Sequence, residues 1–434
     1  MKELLQDILD MAVGCGATDA RARIDCGFED AVTVLDGKVD KVETSEGKVL
    51  VLKLFKEGRM GVFSTNQFER EQLRGFVSHA CGMTALMEQD DCNVMPDPCL
   101  YYKAGEDDPD LGQYESEAEC FTAERLKEMA LACSEGVAGE KCGSLLSSET
   151  EAGRSVTHSY LADTRGFYGA EDSSMITISA QCSVQDSDGS RPEGFWYDLS
   201  TGRRPLECAS CGATSLRNAV EKMGASSVDA GLYDVVLDTD VAYKFVTPLL
   251  NSLAGSALWY KNSFLPDSLG RKVFASGIDI FENPHLAGAV GASYFDSEGL
   301  ATRPGPGIED GFVRKYFLSS YFARKMGMTA TGGNPSVIEI KGEGSRDGLI
   351  AKVGRGLLIT SFLGGNHNTT TGDFSYGISG FLFENGRVVR PVDGMNITGN
   401  FLEIWGRQVL AADDSRKLSA KRIPSLAFSD VSIS

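Results

Sequence analysis

The stretch FLFENGRVV (381–389) does more than any other to limit the folds open to this chain. Two apolar, β-prone runs flank Asn385-Gly386, the dipeptide that most readily takes the positive backbone angles of a two-residue hairpin turn. The same half of the chain repeats the theme in FVRKYFL, SVIEI, GLLITSFL, YGISGFLF and RVVRPV, with glycines between them. Many short strands with glycine corners predict a barrel- or sandwich-like domain over 226–434. Before it, hairpins are predicted in 31–43, turning at Asp36-Gly37, and in 48–65, turning near Glu57-Gly58. Leu4, Ile8 and Ala12 recur at helical spacing and stop at Gly14. A second helix is expected beyond 65, capped by Ser64 or Asn66. Further helices are expected in FTAERLKEMALACSEG and at 214–224, with strands around 142–162 and 174–186. VAYKFVTPLLNSLAGSALWY reads as helical on either side of Pro248. The fold class is therefore α+β. An N-terminal α+β domain spans 1–98, a middle α+β segment spans 99–225, and the β-rich domain spans 226–434. The acidic, proline-bearing stretch 95–119 marks the first boundary.

Charge and thiols narrow the function. The 42 Lys and Arg against 61 Asp and Glu leave a net charge of -19. Nucleic-acid binding needs clustered cations, so a direct role on DNA is not expected. No apolar run is long enough to span a membrane. The amphipathic, acidic start MKELLQDILDMAVG does not resemble a secretion signal, so a cytoplasmic protein is expected. All eleven cysteines lie at or before Cys211, in odd number and irregular spacing, which fits reduced thiols. Cys208 and Cys211 form a single CxxC, without the further ligands that a zinc site needs.

The usual catalytic signatures are missing. There is no HExxH, HExxxH, GxSxG or GxxxxGK[ST]. His79, His158, His285 and His367 stand apart from one another. Asp279, Glu282, Asp296 and Glu298 flank His285, either as a carboxylate site or as solvated turns. GGNHNTTTGDFSYGISG (364–380) gathers polar side chains between glycines. Asn366, His367, Asn368 and Thr371 are candidates to line a peptide groove or a subunit surface. The alternative is that they satisfy turns and strand ends within this chain, as Asp373 and Ser375 are expected to do.

Four phrases, in order along the chain, carry a family resemblance: EGRMGVFSTNQFEREQL (57–73), GLYDVVLD (231–238), YFDSEGLATRPGPGIEDGFVRKYFLSSYFARKMGMTATGGN (294–334) and TGDFSYGISGFLFENGRVVRPVDGMNITGNFLEIW (371–405). Together they resemble the TldD/PmbA family, also called modulators of DNA gyrase. The resemblance implies one of two arms. TldD-type chains carry HExxxH, bind a metal and act as peptidases; PmbA/TldE-type chains share the fold without that motif. The two pair into a protease for unfolded or small peptides. This chain resembles the second arm, because NSLAGS (251–256) falls where the first has HExxxH. Asn251 and Ser256 stand for the two histidines, Ser252 for the glutamate, and Gly255 matches the glycine before the second histidine. An amide and a hydroxyl are poor zinc ligands, and no carboxylate remains to activate water. The resemblance thus implies no catalytic or metal residue in this chain. It implies a zinc-bearing TldD-type partner, an unfolded peptide substrate, and a homodimer as an option in isolation. An effect on gyrase would run through proteolysis of another factor. The competing expectation is an independently active peptidase with an unconventional metal site near His367 or His285.

Overall fold

A computed structural model describes residues 1–105, 108–140, 142–417 and 419–434; Glu106 and Asp107 of the acidic connection lie outside the described residues. The fold is α+β, built on antiparallel sheets.

The first half is organised by length. Helix α1 (Lys2–Gly14) leads into β1 (Asp19–Leu35), β2 (Lys38–Lys56) and β3 (Arg59–Thr65), followed by α2 (Arg70–Thr84). Helix α3 (Ala123–Gly139), β4 (Leu145–Asp163), β5 (Tyr168–Val184), β6 (Glu193–Ser200) and α4 (Cys208–Val220) follow. The six strands form one sheet in the order β3-β2-β1-β4-β5-β6, so residues on both sides of position 98 build it together. Both early hairpins turn where the dipeptides predict. Asp36 and Gly37 have φ of 48° and 78°, and Glu57 and Gly58 have 48° and 74°. That left-handed pair is the type I′ geometry that matches strand twist.

Side chains alternate across the pleat. Ala20, Ala22 and Ile24 of β1, with Leu50, Leu52 and Leu54 of β2, pack under Leu5, Ile8 and Leu9 of α1 and Leu73 and Val77 of α2. Further along the same face Val32, Ala152, Val156, Ile176 and Ile178 lie under Leu126, Ala130 and Cys133 of α3. Two helix pairs therefore cover one face of the sheet, and the odd-numbered residues of β1, β2, β4 and β5 are left for the other. Helix α2 begins at Arg70 after an uncapped Glu69, not at Ser64 or Asn66. Strand β3 stays paired to Thr65 and holds Ser64 extended, and Asn66 lies in the connection between β3 and α2.

The second half opens with β7 (Gly231–Leu237), α5 (Tyr243–Ser252) and α6 (Gly255–Trp259). Pro248 lies inside α5 and does not divide it; the break comes after Ser252. Strands β8 (Ile280–Glu282), β9 (Gly305–Glu309) and β10 (Phe312–Val313), helix α7 (Ser320–Lys325), β11 (Ile338–Glu339) and α8 (Arg346–Val353) precede β12 (Gly356–Phe362) and β13 (Asn366–His367). Then come β14 (Asp373–Glu384), β15 (Arg387–Asn400), α9 (Phe401–Trp405), β16 (Val409–Ala411), β17 (Lys421–Arg422) and β18 (Leu426–Ile433). β12 pairs with β7, β7 with β18, β18 with β15, β15 with β14, and β14 returns to β12. This ring of five strands is a closed barrel, which leaves no open edge within it. The β14–β15 hairpin turns at Asn385 and Gly386, with φ of 51° and 71°. Phe245 of α5 is fully buried, with its ring centroid 5.6 Å from Phe401 and 5.4 Å from Phe428. A smaller sheet, β10-β9-β8-β11-β17, stands beside the barrel.

Candidate functional site

The face of the N-terminal sheet that no helix covers looks onto loops of the second half. Two clefts of about 800 and 750 Å³ lie between them. They share Arg23, Leu161, Asp296, Ser297 and Asn334, and so form one channel. Its sheet wall includes Thr157 and Ser159 of β4 and Glu171 of β5. Its other wall is the segment around 293–303 with Thr331 and Asn334. The third family-like phrase of the sequence thus becomes a wall of the channel.

Register sets charged residues side by side on the sheet wall. Lys53 of β2 is directly opposite Arg21 of β1, which is directly opposite Asp163 of β4. Arg21 is 4% exposed, and its Nη2 donates to Asp163 Oδ2 at 3.0 Å. Tyr101 donates to the same oxygen at 2.7 Å, while the amides of Arg165 and Phe167 donate to Oδ1 at 2.9 and 3.1 Å. Burial holds the Lys53 ammonium below the ordinary lysine range, against an opposing pull from the Glu298 carboxylate and with a smaller push from the Arg21 charge.

The facing wall is acidic. Asp296 Oδ1 accepts the backbone amides of Glu298 and Leu300 at 2.8 and 3.0 Å. Burial, reinforced by the Glu298 charge, outweighs those bonds and pushes its carboxyl up to about 6. Glu298 Oε2 accepts the Ser320 amide at 2.7 Å. Glu171 takes the Ser293 hydroxyl proton in a hydrogen bond, and burial raises its carboxyl too. The channel therefore offers hydroxyls, carboxylates of which burial makes Asp296 and Glu171 less acidic, and a lysine. Such a lining suits a polar, extended ligand.

The NSLAGS segment touches this channel. Asn251 lies in the last turn of α5 and is exposed, while Ser252, the final residue of that helix, is buried and its carbonyl accepts the Ser263 hydroxyl at 2.7 Å. Ala254 bridges Phe317; the Gly255 amide donates to the Phe317 carbonyl at 2.8 Å. Gly255 and Ser256 line the channel. A Cβ at Gly255 would meet Phe322 Cβ at 2.6 Å, so only glycine fits there. Asn251 and Ser256 belong to separate helices, and neither provides a good zinc ligand. Among the described residues no three His, Cys, Asp or Glu side chains gather as a metal site. The residues of the NSLAGS segment do not fit a catalytic transition metal.

The polar loop of the barrel lies elsewhere. His367 is half-buried, its Nδ1 is 3.0 Å from the Tyr376 hydroxyl, and burial lowers its basicity, aided by Lys244. Asn366 pairs with Ser375 across β13–β14. Asn368 Oδ1 accepts the amides of Thr370 and Thr371, at 2.9 and 3.2 Å. Thr371 donates to Asp373 at 2.6 Å, and Asn400 Nδ2 donates to the Thr371 carbonyl at 2.8 Å. None of the four candidates lines the channel. His285 contacts Thr302 at 3.0 Å, and His158 Nδ1 contacts Asp172 at 2.7 Å. Cys208 and Cys211 start α4, and the chain's cysteines are all free.

Sequence reasoning named Asp296 and Glu298 but missed Arg21, Lys53 and Glu171. Nothing local to those residues signals a site, since only strand register and a distant loop bring them together.

The comparisons with known proteins follow the same outline. A family model described as the PmbA/TldA metallopeptidase C-terminal domain matches residues 230–434. A crystal structure of a Bacteroides thetaiotaomicron protein, named as a DNA gyrase modulator, superposes with a TM-score of 0.96 at 34% identity, covering 100% of this chain and 98% of that one. The metalloprotease PmbA of Escherichia coli O157:H7 is 26% identical over 410 residues, 93% of this chain and 89% of its own. The fold of TldE from Thermococcus kodakarensis matches with a TM-score of 0.83 at 17% identity, over 99% of this chain and 100% of that one.

Proposed function

From the premise that this chain belongs to the PmbA/TldD family, we propose that it is the PmbA/TldE-type, non-catalytic subunit of a two-chain metalloprotease that acts on unfolded or small peptides. A TldD-type partner supplies the zinc and the general base. This chain supplies part of the chamber that holds the peptide, and it works in the cytoplasm. The observation that carries the reading is the NSLAGS segment. Where the metal arm needs two histidines and a glutamate, this chain has an exposed amide, a buried hydroxyl and an exposed hydroxyl, divided between two helices. A water bound to such a site would keep its ordinary acidity, because no metal lowers it.

The channel supports the binding half of the reading. Hydroxyls and amide side chains on both walls can pair with the carbonyl and N–H groups of an extended backbone. The net charge of -19 argues against any direct action on DNA. No helix among the described residues is long and apolar enough to cross a membrane.

Metal analysis of the purified chain, by mass spectrometry without chelator, is the test. Negligible transition metal, and peptide hydrolysis only after addition of a TldD-type chain, are expected. About one zinc per chain with hydrolysis by the chain alone would overturn the reading in favour of an independent peptidase. Purified alone, the chain is expected to form a homodimer through its partner-binding surface, which sedimentation would reveal.

A further inference from the structure

The chain has eleven cysteines, all of them free thiols, and their surroundings set them apart. Cys133 of α3 and Cys211 of α4 are hydrogen-bonded to one another, but at 0% and 2% exposure they are closed to a dissolved reagent. Cys99 and Cys120 are exposed, yet each bonds within its own turn. The Cys99 amide donates to Asp97 Oδ1 at 2.9 Å, and Cys120 Sγ donates to the Ser116 carbonyl at 4.0 Å. Cys15 and Cys81 combine access with a neighbour. Cys15 is the exposed C-cap of α1. Cys81, in the last turn of α2, is 4% exposed, and its Sγ donates to the carbonyl of Ala12, three residues before Cys15, at 3.8 Å. The two thiols are within hydrogen-bond reach of each other. Cys15 also lines an open cleft of about 600 Å³ between α1 and α2, together with Ser78, one turn ahead of Cys81. Lys56 Nζ stands 3.5 Å from the point that a Cβ on Gly16 would occupy, so an ammonium flanks the pair. Burial and the adjacent Cys15 raise the Cys81 thiol, and the Lys56 charge opposes them. Reactive cysteines are found in partly exposed places beside a cation.

We propose that Cys15 and Cys81 form a thiol-exchange site, which a low-molecular-weight disulfide oxidises to a Cys15–Cys81 bond. Access sets the order of events: Cys15 meets the reagent, and Cys81 meets only Cys15. The Cys15 thiolate attacks one sulfur of the reagent. A mixed disulfide forms, the S–S bond of the reagent breaks, and the departing thiolate takes up the proton that Cys15 gave. The Cys81 thiolate then attacks the Cys15 sulfur, and the second reagent thiolate leaves with the Cys81 proton. Two protein thiols lose two electrons, and one disulfide becomes two thiols. The product ties the end of α1 to α2, the helices that cover Leu50, Leu52 and Leu54 of the sheet. It also closes the chain from 15 to 81 into a loop, which restricts the unfolded state. The inference is independent of what the channel binds.

The test uses the full chain, reduced, freed of reductant and incubated with glutathione disulfide at about pH 8, where thiolate is plentiful. Remaining thiols are then blocked with N-ethylmaleimide in denaturant, and tryptic peptides are read by mass spectrometry. The number of blocked thiols should fall by two from the eleven of the reduced chain. The tryptic peptide Glu3–Arg21 should be found linked to Gly75–Lys103, with fragmentation placing the link on Cys81, not on Cys92 or Cys99. Dithiothreitol should restore all the thiols. Cys81→Ser should stop at the mixed disulfide, with one glutathione on Cys15. Cys81→Ala, which buries no hydroxyl, should do the same if the serine variant fails to fold. Cys15→Ser should leave Cys81 unmodified. Glutathione that persists on Cys15 of the unmodified chain would overturn the part given to Cys81. A link from Cys15 to Cys92 or Cys99, or modification confined to Cys99 and Cys120, would overturn the site itself. Glutathione on Cys81 in a folded Cys15→Ser chain would overturn the order of the two steps.

Discussion

Tyr101 gives its hydroxyl proton to Asp163 at 2.7 Å, on the oxygen that Arg21 also reaches. Tyr101 bridges Leu300 through its backbone as well, so one residue ties the N-terminal sheet to the channel wall of the second half. Burial and the Asp163 carboxylate push the phenol well above its ordinary range, which keeps it a donor at any physiological pH. Asp163→Asn would strand Arg21 as a buried, uncompensated charge and should cost roughly 3–5 kcal/mol. Tyr101→Phe removes one hydrogen bond and should cost about 1–2 kcal/mol. Denaturant midpoints order the two variants; equal effects would contradict the charge argument.

Gly255→Ala should destabilise the chain by about 1–3 kcal/mol, the usual cost of overpacking. The added methyl would collide with Phe322 and Leu318, whose backbone neighbours hold the NSLAGS segment in place. Thermal melting measures the loss. Gly47→Ala, with nothing within 4 Å of the new methyl, is the control and should melt close to the unmodified chain.

Asp296 predicts a pH dependence with a definite sign. Its folded carboxyl titrates near 6, above the ordinary 3.8, so the folded state holds the proton more tightly than the unfolded state. Stability from this group is fully present below about pH 4 and is lost as pH rises through about 6. Asp296→Asn keeps an oxygen for the Glu298 and Leu300 amides but never ionises. Melting temperatures from pH 4.5 to 7.5 should show the variant gaining on the unmodified chain as pH rises. A constant gap would mean that Asp296 is ionised throughout.

The loop at 366–373 separates two roles for its polar residues. Asn368→Ala removes the acceptor for two loop amides and should cost about 1 kcal/mol. Pairing with a TldD-type chain, followed by size-exclusion chromatography, should be unaffected. Loss of pairing with an unchanged melting temperature would instead place Asn368, and with it His367, on a subunit surface.

The parts of this fold that depend on neighbours in sequence were legible. Three two-residue turns sit where Asp-Gly, Glu-Gly and Asn-Gly stand, because local backbone preference decides them. The lengths of β1 and β2 were not legible. From Lys38 to Gly47 the strand is exposed at every position, so the apolar alternation that marks a strand vanishes. Closure of the barrel was hidden for another reason: Val235 pairs with Leu357, over a hundred positions away, and no local pattern encodes that choice. The candidate site shared this difficulty. The acidic wall stood out as a cluster around His285, but its cationic counterpart exists only once the register sets Lys53 beside Arg21.

The barrel also imposes an order on synthesis. Strand β18 fits between β7 and β15, and without it the ring is open. The strand that completes the circle leaves the ribosome after the other four. Until then β7 presents a bare edge, a template for any extended chain nearby. The six-stranded sheet, complete by residue 200, has no such wait. Nascent chains stalled between residues 362 and 425 should therefore carry a folded front half and a sticky, unclosed back half, the form that chaperones would be expected to hold.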